Sequence, residues 1–558
     1  MSSKQSWFKS GAPWIWLNGG AVAISIIMVL GLLGLIAIRG LGHFWPAAIV
    51  EFEHTDRHGA VETVMGEIAR SQTITGAVVI DGGRPDLAEP EDLVVRHLIK
   101  RGNRDVSGRD FMWYMEPAIT EKRYPEDALR LERREWGDFF GYPVAIKEQD
   151  QIVASGDQVM PELRDRLARS LNIRADIHEI ERYDIGDVNR RLEQIRLGTR
   201  RIELDDRLSE EEKAERIAEL ERGRAQLDEE YAEIQSRLDA LNQQARRDKL
   251  ITRVADGQEV EILFSDIIRA IQPNQMNVFQ KSAFYVEMFW DFMSGEPREA
   301  NTEGGIFPAI FGTVVMVFLM SIVVTPFGVL AAIYLREYAH QGPVLRMIRV
   351  SVYNLAGVPS IVFGVFGLGF FVYVMGGSID RMFFPESLPA PTFGTPGLMW
   401  ASLTLALLTL PVVIVSTEEG LARIPSTIRQ GSLALGATKA ETLWRVVVPL
   451  ATPAMMTGMI LAIARAAGEV APLMLVGVVK LAPSLPVDGQ FPFVHLDRKI
   501  MHLGFHIYDV GFQSPNAEAA RPLVYATALV LVGLIVVLNL TAISIRNRLR
   551  EKYRAESD

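Results

Sequence analysis

Cysteine is absent from this chain of 558 residues. Its absence excludes a disulfide framework, a thiolate metal site and thiol chemistry. Histidine is scarce: the nine present are scattered and show no metal-ligand spacing. No G-x-x-x-x-G-K-[ST] occurs, so the chain does not hold ATP by that phosphate-cradling loop. Between residues 51 and 300 there is also no nucleophile elbow. The net charge of −10 is diffuse and argues against a nucleic-acid partner. Nothing calls for a cofactor or a metal.

What is present is a division between charge and hydrocarbon. Charged residues concentrate at about 50–300, and long apolar runs lie before and after. A bilayer crossing needs about 20 predominantly apolar residues. Six runs qualify: 19–38, 306–335, 350–375, 397–416, 451–479 and 522–545. The first is longer than the ~7–15 residues of a signal-peptide apolar core, and no A-x-A site follows closely, so it reads as an uncleaved anchor. Four segments are rich in Lys and Arg: Lys4 and Lys9; Arg336, Arg346 and Arg349; Arg423, Arg429, Lys439 and Arg445; and the tail from Arg546 to Arg554. With six spans all four fall on one side, which the positive-inside rule makes cytoplasmic. The opposite loops carry Arg381, Lys480, Arg498, Lys499 and Arg521. Both termini are then inside, and residues about 50–305 are outside. The resulting organisation is a first-span segment 1–50, an insertion 51–300, a membrane body 301–546 with an inner loop 417–449, and a tail 547–558.

Within the insertion, GAVVI (76–80), YPVAIKE (142–148) and EVEILF (259–264) resemble strands. ETVMGEIARS and MPELRDRLARSL resemble amphipathic helices. Residues 176–248 form a helical hairpin with coiled-coil spacing, stepping through Ile185, Val188, Leu192 and Ile195 and returning through Ile217, Leu220, Leu227 and Ile234. Ser209 and Glu212 make a capping box for the second arm. A solvated spacer and a docking arm for a partner fit this hairpin equally. Residues 279–296 read as an aromatic-rich interfacial helix lying on lipid, or as a packed helix.

The inner loop STEEGLARIPSTIRQGSLALGATKAETLWRVVVPLATP (416–453) has its own punctuation. Pro425 and Ser426 suit a helix start, and Gly436 a stop. Thr438 and Glu441 form a second capping box, and Pro449 is expected to end that helix. The resulting short helix–turn–helix exposes Trp444 and neighbouring valines, an apolar stub suited to a groove on another protein.

This loop resembles the EAA motif of ABC-importer permeases. Gly436 is followed by nine residues and then Val446-Val447-Val448-Pro449, the motif's spacing, while the EAA positions read Gln430-Gly431-Ser432. Further stretches, IFPAIFGTVVMVF, FGVLAAIYLREYA, LAGVPSIVFGVFGLGF, STEEGLARIP and LAIARAAGEVAPLM, resemble the phosphate-specific permease family PstA across spans two to six. The resemblance implies an α-helical polytopic membrane protein, with six transmembrane helices of the ABC-importer permease type in the bacterial inner membrane. Onto this is inserted an α/β plus helical-hairpin extracytoplasmic domain that the family does not account for. By resemblance the 417–449 loop, with Gly436, Thr438, Glu441, Trp444 and Pro449, couples to an ATPase. The implied partners are a PstC-like second permease, a PstB-like ATPase dimer, a PstS-like periplasmic phosphate-binding protein and membrane lipids. Alternatives are a permease for sulfate, molybdate or an amino acid, or a membrane sensor or tether working through the hairpin.

Inside LAIARAAGEVAPLM, Arg465 and Glu469 stand one turn apart in apolar surroundings. A lone charge at mid-bilayer costs about 2.5–3.5 kcal/mol on insertion scales, so the two are expected to neutralise each other and to mark an anion path. Arg465 offers oxyanions a planar, permanently charged fork. Gly468 and Pro472 are expected to loosen this helix, and Pro359 to break span three beside a path-facing Ser360. Packed structural roles for the same residues are the competing expectation. Glu418 and Glu419 read as solvated loop charges, and Thr313 and Thr325-Pro326 as having local backbone roles.

Overall fold

The computed structural model describes residues 11–298, 301–514 and 517–555; Lys4, Lys9 and the last three residues of the tail lie outside these. Six helices among them are long and apolar enough to cross a membrane: Pro13–Gly42, Phe307–Tyr338, Ser360–Phe383, Leu398–Ala422, Lys439–Gly468 and Ala520–Arg548. Two differ materially from the apolar runs. The third span starts at Ser360, because residues 343–355 form a separate amphipathic helix. The fifth starts at Lys439 and stops at Gly468, eleven residues before its apolar run ends.

The fourth span is the axis of the bundle. It is the most buried of the six, packed between spans two and five around Trp400, Leu405 and Val413. Small residues set these approaches. A Cβ on Gly328 would lie 2.6 Å from Val413, and one on Gly458 would lie 2.7 Å from Ser416. Without a hydrophobic force between helices in lipid, such close backbone packing supplies the attraction. The first span packs on the sixth, where a Cβ on Gly40 would fall 2.9 Å from the Tyr525 carbonyl. Its other faces are open, as a lipid-facing helix requires.

Residues 469–514 are largely irregular and are satisfied by protein. Val479 donates to the Ile500 carbonyl (2.9 Å) and Ile500 to that of Gly477 (3.1 Å). Gly397 and Leu398, at the start of span four, donate to Val476 (3.0 Å) and Arg498 (2.9 Å). Thr313 also has an inter-helix role: its hydroxyl donates to Ala309 and accepts the Leu503 N–H at 3.0 Å. His502 and His506 are buried in this segment, outside the spans, and His506 lies near Asp509 and Lys480.

The insertion is built from antiparallel strands. Strands β1 (Ile49–Thr55), β2 (Val61–Thr75), β3 (Leu93–Lys100), β4 (Phe111–Met115) and β5 (Ile119–Arg123) form one sheet in the order β4-β3-β2-β1-β5. Strands β6 (Leu129–Arg133), β7 (Phe139–Glu148), β9 (Asp248–Arg253), β10 (Glu259–Leu263) and β11 (Ile267–Ile271) form the second in the order β10-β9-β7-β6-β11. Strand β8 (Gln151–Ser155) pairs with β7. Two expectations reverse here. ETVMGEIARS lies in β2, and GAVVI begins the helix Gly76–Asp81. The register of β2 on β3 shifts between Ile68 and Arg70, and that bulge breaks the alternation and imitates a helical period.

The hairpin rises between β8 and β9. Its first arm begins at Val159 and passes through a π-turn at Ile180–Asp184 to end at Glu203. The second runs from Glu210 to Ala245 behind the Ser209–Glu212 capping box. At 1.5 Å per residue the second arm is about 54 Å long. The end of the first arm meets the membrane body: Arg201 Nη2 is 2.5 Å from the buried Glu386, in the loop between spans three and four. The helix Val278–Ser294 buries Phe284 and Phe292 and leaves Phe279 and Trp290 open, one face packed and one available to an interface.

Two outcomes test this packing. A Cβ on Gly364 of span three would sit 2.6 Å from the Cα of Pro472. Gly364→Ala is therefore expected to cost about 1–3 kcal/mol, read as an earlier thermal transition of the detergent-purified chain. Burial pushes both His502 and His506 down to about 4. The unfolded chain binds these protons near 6.5 and the folded chain does not, so stability falls as pH drops from about 6.5 towards 4. Thermal melts at pH 7 and pH 5 should show that loss, and His506→Leu should reduce it.

Candidate substrate path and coupling face

Span five ends one residue before its carboxylate. Gly468 is the last helical residue, and Glu469 is its C-cap in an extended conformation (φ −79°, ψ 132°). Pro472 therefore breaks no helix: it is buried and starts the single turn Leu473–Val476. Arg465 stands in the last helical turn, where the carbonyl end of the helix dipole favours a cation. The charge at Arg465 is thus stabilised twice, by that dipole and by Glu469.

The pair is incompletely closed. Among the described residues the one hydrogen bond of Arg465 runs from Nε to Glu469 Oε1, at 3.3 Å. Its side chain remains 34% exposed and that of Glu469 20%. Both terminal guanidinium nitrogens are left for another acceptor. A Cβ added at Gly468 would meet nothing within 4 Å, so the space beside the pair is open.

Span three flanks this opening. Its Gly364 rests on Pro472, and a Cβ on Gly367 would meet Thr404 at 2.3 Å and Val476 at 2.9 Å. Ser360 lies one turn before Gly364 and so shares its face of the helix. Pro359 is the N-cap of this helix, so it marks the junction with Pro343–Leu355 and not a mid-helix kink. The structure joins Arg465 directly to Glu469, and joins their segment to the helix of Ser360 through Gly364 and Pro472. It gives no direct contact between Ser360 and Arg465.

The other end of span five carries the helix–turn–helix. Ser426–Ala434 stops at Gly436, whose φ of 89° suits glycine. The Glu441 N–H then donates to Thr438 Oγ1 (3.2 Å), and the Glu441 carboxylate accepts the Thr438 N–H (2.9 Å). Ser432 Oγ and Thr442 Oγ1, 2.9 Å apart, tie the two helices together. Pro449 does not end the second. A π-turn at Leu443–Val447, closed by the Val448 N–H on the Leu443 carbonyl, carries the chain past the proline into Val448–Gly468. Trp444 is 57% exposed and Leu435 91%, while Leu443 and Val447 are buried beneath them.

Residues that sequence reasoning missed lock this unit to the bundle. Arg429 donates to the carbonyls of Leu421 (2.8 Å) and Ile424 (2.7 Å) and to Glu337 Oε1 (2.9 Å) at the end of span two. Lys439 donates to the Glu337 carbonyl at 2.5 Å. Glu418, expected in solvent, is buried and lies 2.6 Å from Arg349 Nη2. The available signal was Glu418 three residues beyond Val415 in an apolar helix, with unpaired arginines in the adjoining loops.

Comparison with known proteins follows this geometry. The family model described as the inner membrane component of binding-protein-dependent transport systems matches residues 324–554. The phosphate transport system permease protein PstA of Mycobacterium leprae is 35% identical over 231 residues, 40% of this chain and 70% of its own. PstA 1 of Mycobacterium tuberculosis is 38% identical over 175 residues, 31% of this chain and 52% of its own, so about half of that relative is spanned. A chain of the MetNI methionine ABC transporter in an inward-facing form is 18% identical, covering 47% of this chain and 98% of its own with a TM-score of 0.31. The assignment rests on the sequence relatives: the chain belongs to the PstA-type permeases of the binding-protein-dependent transport family, membrane subunits of ABC importers that carry no ATPase activity of their own.

Proposed function

We propose that this chain is one permease half of an importer for inorganic phosphate. The observation that carries the reading is the half-open guanidinium of Arg465, which keeps two terminal nitrogens for an incoming acceptor while Glu469 occupies the third. A phosphate oxyanion matches that planar donor pair bidentately. Glu469 balances the charge when the path is empty, and the anion competes for Arg465 when it is filled. Ser360 contributes a hydroxyl from the neighbouring helix. Gly468 and the 469–472 segment give the chain freedom to shift between outward and inward access. The relatives named as phosphate permeases support the choice of anion.

A second permease completes the path, and an external binding protein delivers the anion. The Arg- and Lys-rich end that bears the 426–447 unit is cytoplasmic by the positive-inside rule, and the insertion lies outside. There Trp444 and Leu435 present an apolar face for a groove on an ATPase dimer. Arg429 and Lys439 pass its movement to the end of span two.

The test is co-purification of the chain with its companion subunits, followed by phosphate-stimulated ATP hydrolysis and phosphate uptake in liposomes. Stimulation by sulfate or an amino acid instead of phosphate would refute the substrate. Arg465→Gln should abolish uptake. Arg465→Lys, which keeps charge and loses the fork, should lower uptake about tenfold or more. Full transport by Arg465→Lys would remove the bidentate step. Trp444→Ala should release the ATPase on size-exclusion chromatography while leaving the melting temperature of the chain unchanged.

A further inference from the structure

A cavity of about 930 Å³ lies away from Arg465, where the insertion meets the membrane helices. Part of the lining is apolar, with Phe44, Met288 and Phe292 packed in one cluster with Leu523 of span six. The rest of the lining is charged and includes arginines from three separate stretches. Arg134 follows β6, Arg174 lies on the first arm of the hairpin, and Arg298 ends the strand Pro297–Arg298.

Acidic side chains line the same cavity, and most are already engaged. Asp138 pairs with Lys100 and with Arg130 (2.9 Å). Glu132 is shared by Arg269 (2.8 Å) and Arg298. Asp291 is held by Arg269 and Glu296 by Arg182. No carboxylate among the described residues forms an ion pair with Arg134 or Arg174. Arg134 is fixed in place by its own N–H on the Asp266 carbonyl (2.8 Å) and by Nε on the Ser265 carbonyl (3.1 Å). Its terminal nitrogens make no hydrogen bond among the described residues, and Arg134 lines the cavity. Burial, then Arg174 and Arg298, hold its guanidinium below the ordinary arginine value, and the Asp266 carboxylate offsets this only in part.

We propose that this cavity is a binding site for a phosphate-bearing anion, gripped by Arg134 and Arg174 with Arg298 alongside. Guanidinium groups bind such oxyanions through paired, charge-assisted hydrogen bonds. Two sources share that chemistry: free inorganic phosphate, and the headgroup of an anionic phospholipid whose chains would lie on the apolar part of the lining. The site is separate from Arg465 and does not rest on the transport reading.

The experiment uses the full chain in nanodiscs of phosphatidylcholine, with inorganic phosphate measured by equilibrium dialysis. Wild type and Arg465→Gln should bind one phosphate saturably beyond any at Arg465. The double variant Arg134→Gln/Arg174→Gln should lose about tenfold or more in affinity. A second arm replaces the lipid by phosphatidylglycerol and reads retained lipid by native mass spectrometry. Retention lost in the double variant, without phosphate binding, assigns the headgroup as ligand. The pair Arg134→Lys/Arg174→Lys keeps the charge and carries the test if the glutamine variant fails to fold; intermediate affinity is expected of it. Equal binding by wild type and double variant, or binding of neither probe, overturns the proposal. Because Arg465→Gln reports on transport and the double variant on the cavity, either reading can fail alone.

Discussion

A backbone leaving its helix beside a membrane must find partners in protein, since lipid offers none. The architecture of the membrane body follows from where this chain meets that condition. Span five stops at Gly468, and the irregular stretch behind it is paired by the 494–500 segment and by the first residues of span four. Trp400, at the head of the most buried helix, donates its indole N–H to the Phe393 carbonyl at 2.7 Å and closes the same region. Span three then approaches closely enough to rest Gly364 on Pro472. Arg465 and Glu469 are left at the rim of this packed irregular core, charged and partly open.

The charges at the two ends of span five are handled differently. At the Lys439 end Arg429 has three acceptors and Glu337 engages two basic side chains, so that end is held by several partners at once. At the far end Arg465 has a single long hydrogen bond. The same helix is therefore held by several partners at its Lys439 end and loosely at its Gly468 end.

Local rules were legible and long-range ones were not. Both capping boxes, at Ser209 and Thr438, stand where their four-residue pattern puts them, and Gly436 stops its helix. Six spans follow from hydropathy, although the start of span three and both ends of span five do not. Hydropathy continues past Gly468 because the irregular segment is itself buried and apolar, as Leu473 and Val476 show. Pro449 looked like a stop because the neighbouring π-turn leaves no mark in composition. In the insertion, the β-branched GAVVI turns helical after Gly76, where the backbone passes so close to the Glu89 carbonyl that a Cβ would fall 1.7 Å from it. Arg465 and Glu469 were visible because a charge pair in hydrocarbon stands out. Arg134, Arg174 and Arg298 were not, since only folding brings those three stretches together.

The bridge from Arg201 to Glu386 closes a mechanical loop. The insertion is joined to spans one and two through the main chain, and its hairpin returns to the far side of span three. An arm of about 54 Å in two paired helices resists bending. The ion pair at its tip joins an arginine 72% exposed to a carboxylate only 5% exposed, so parting it strands a buried charge. The hairpin thereby ties the loop after span three to the insertion at a point far from either in sequence.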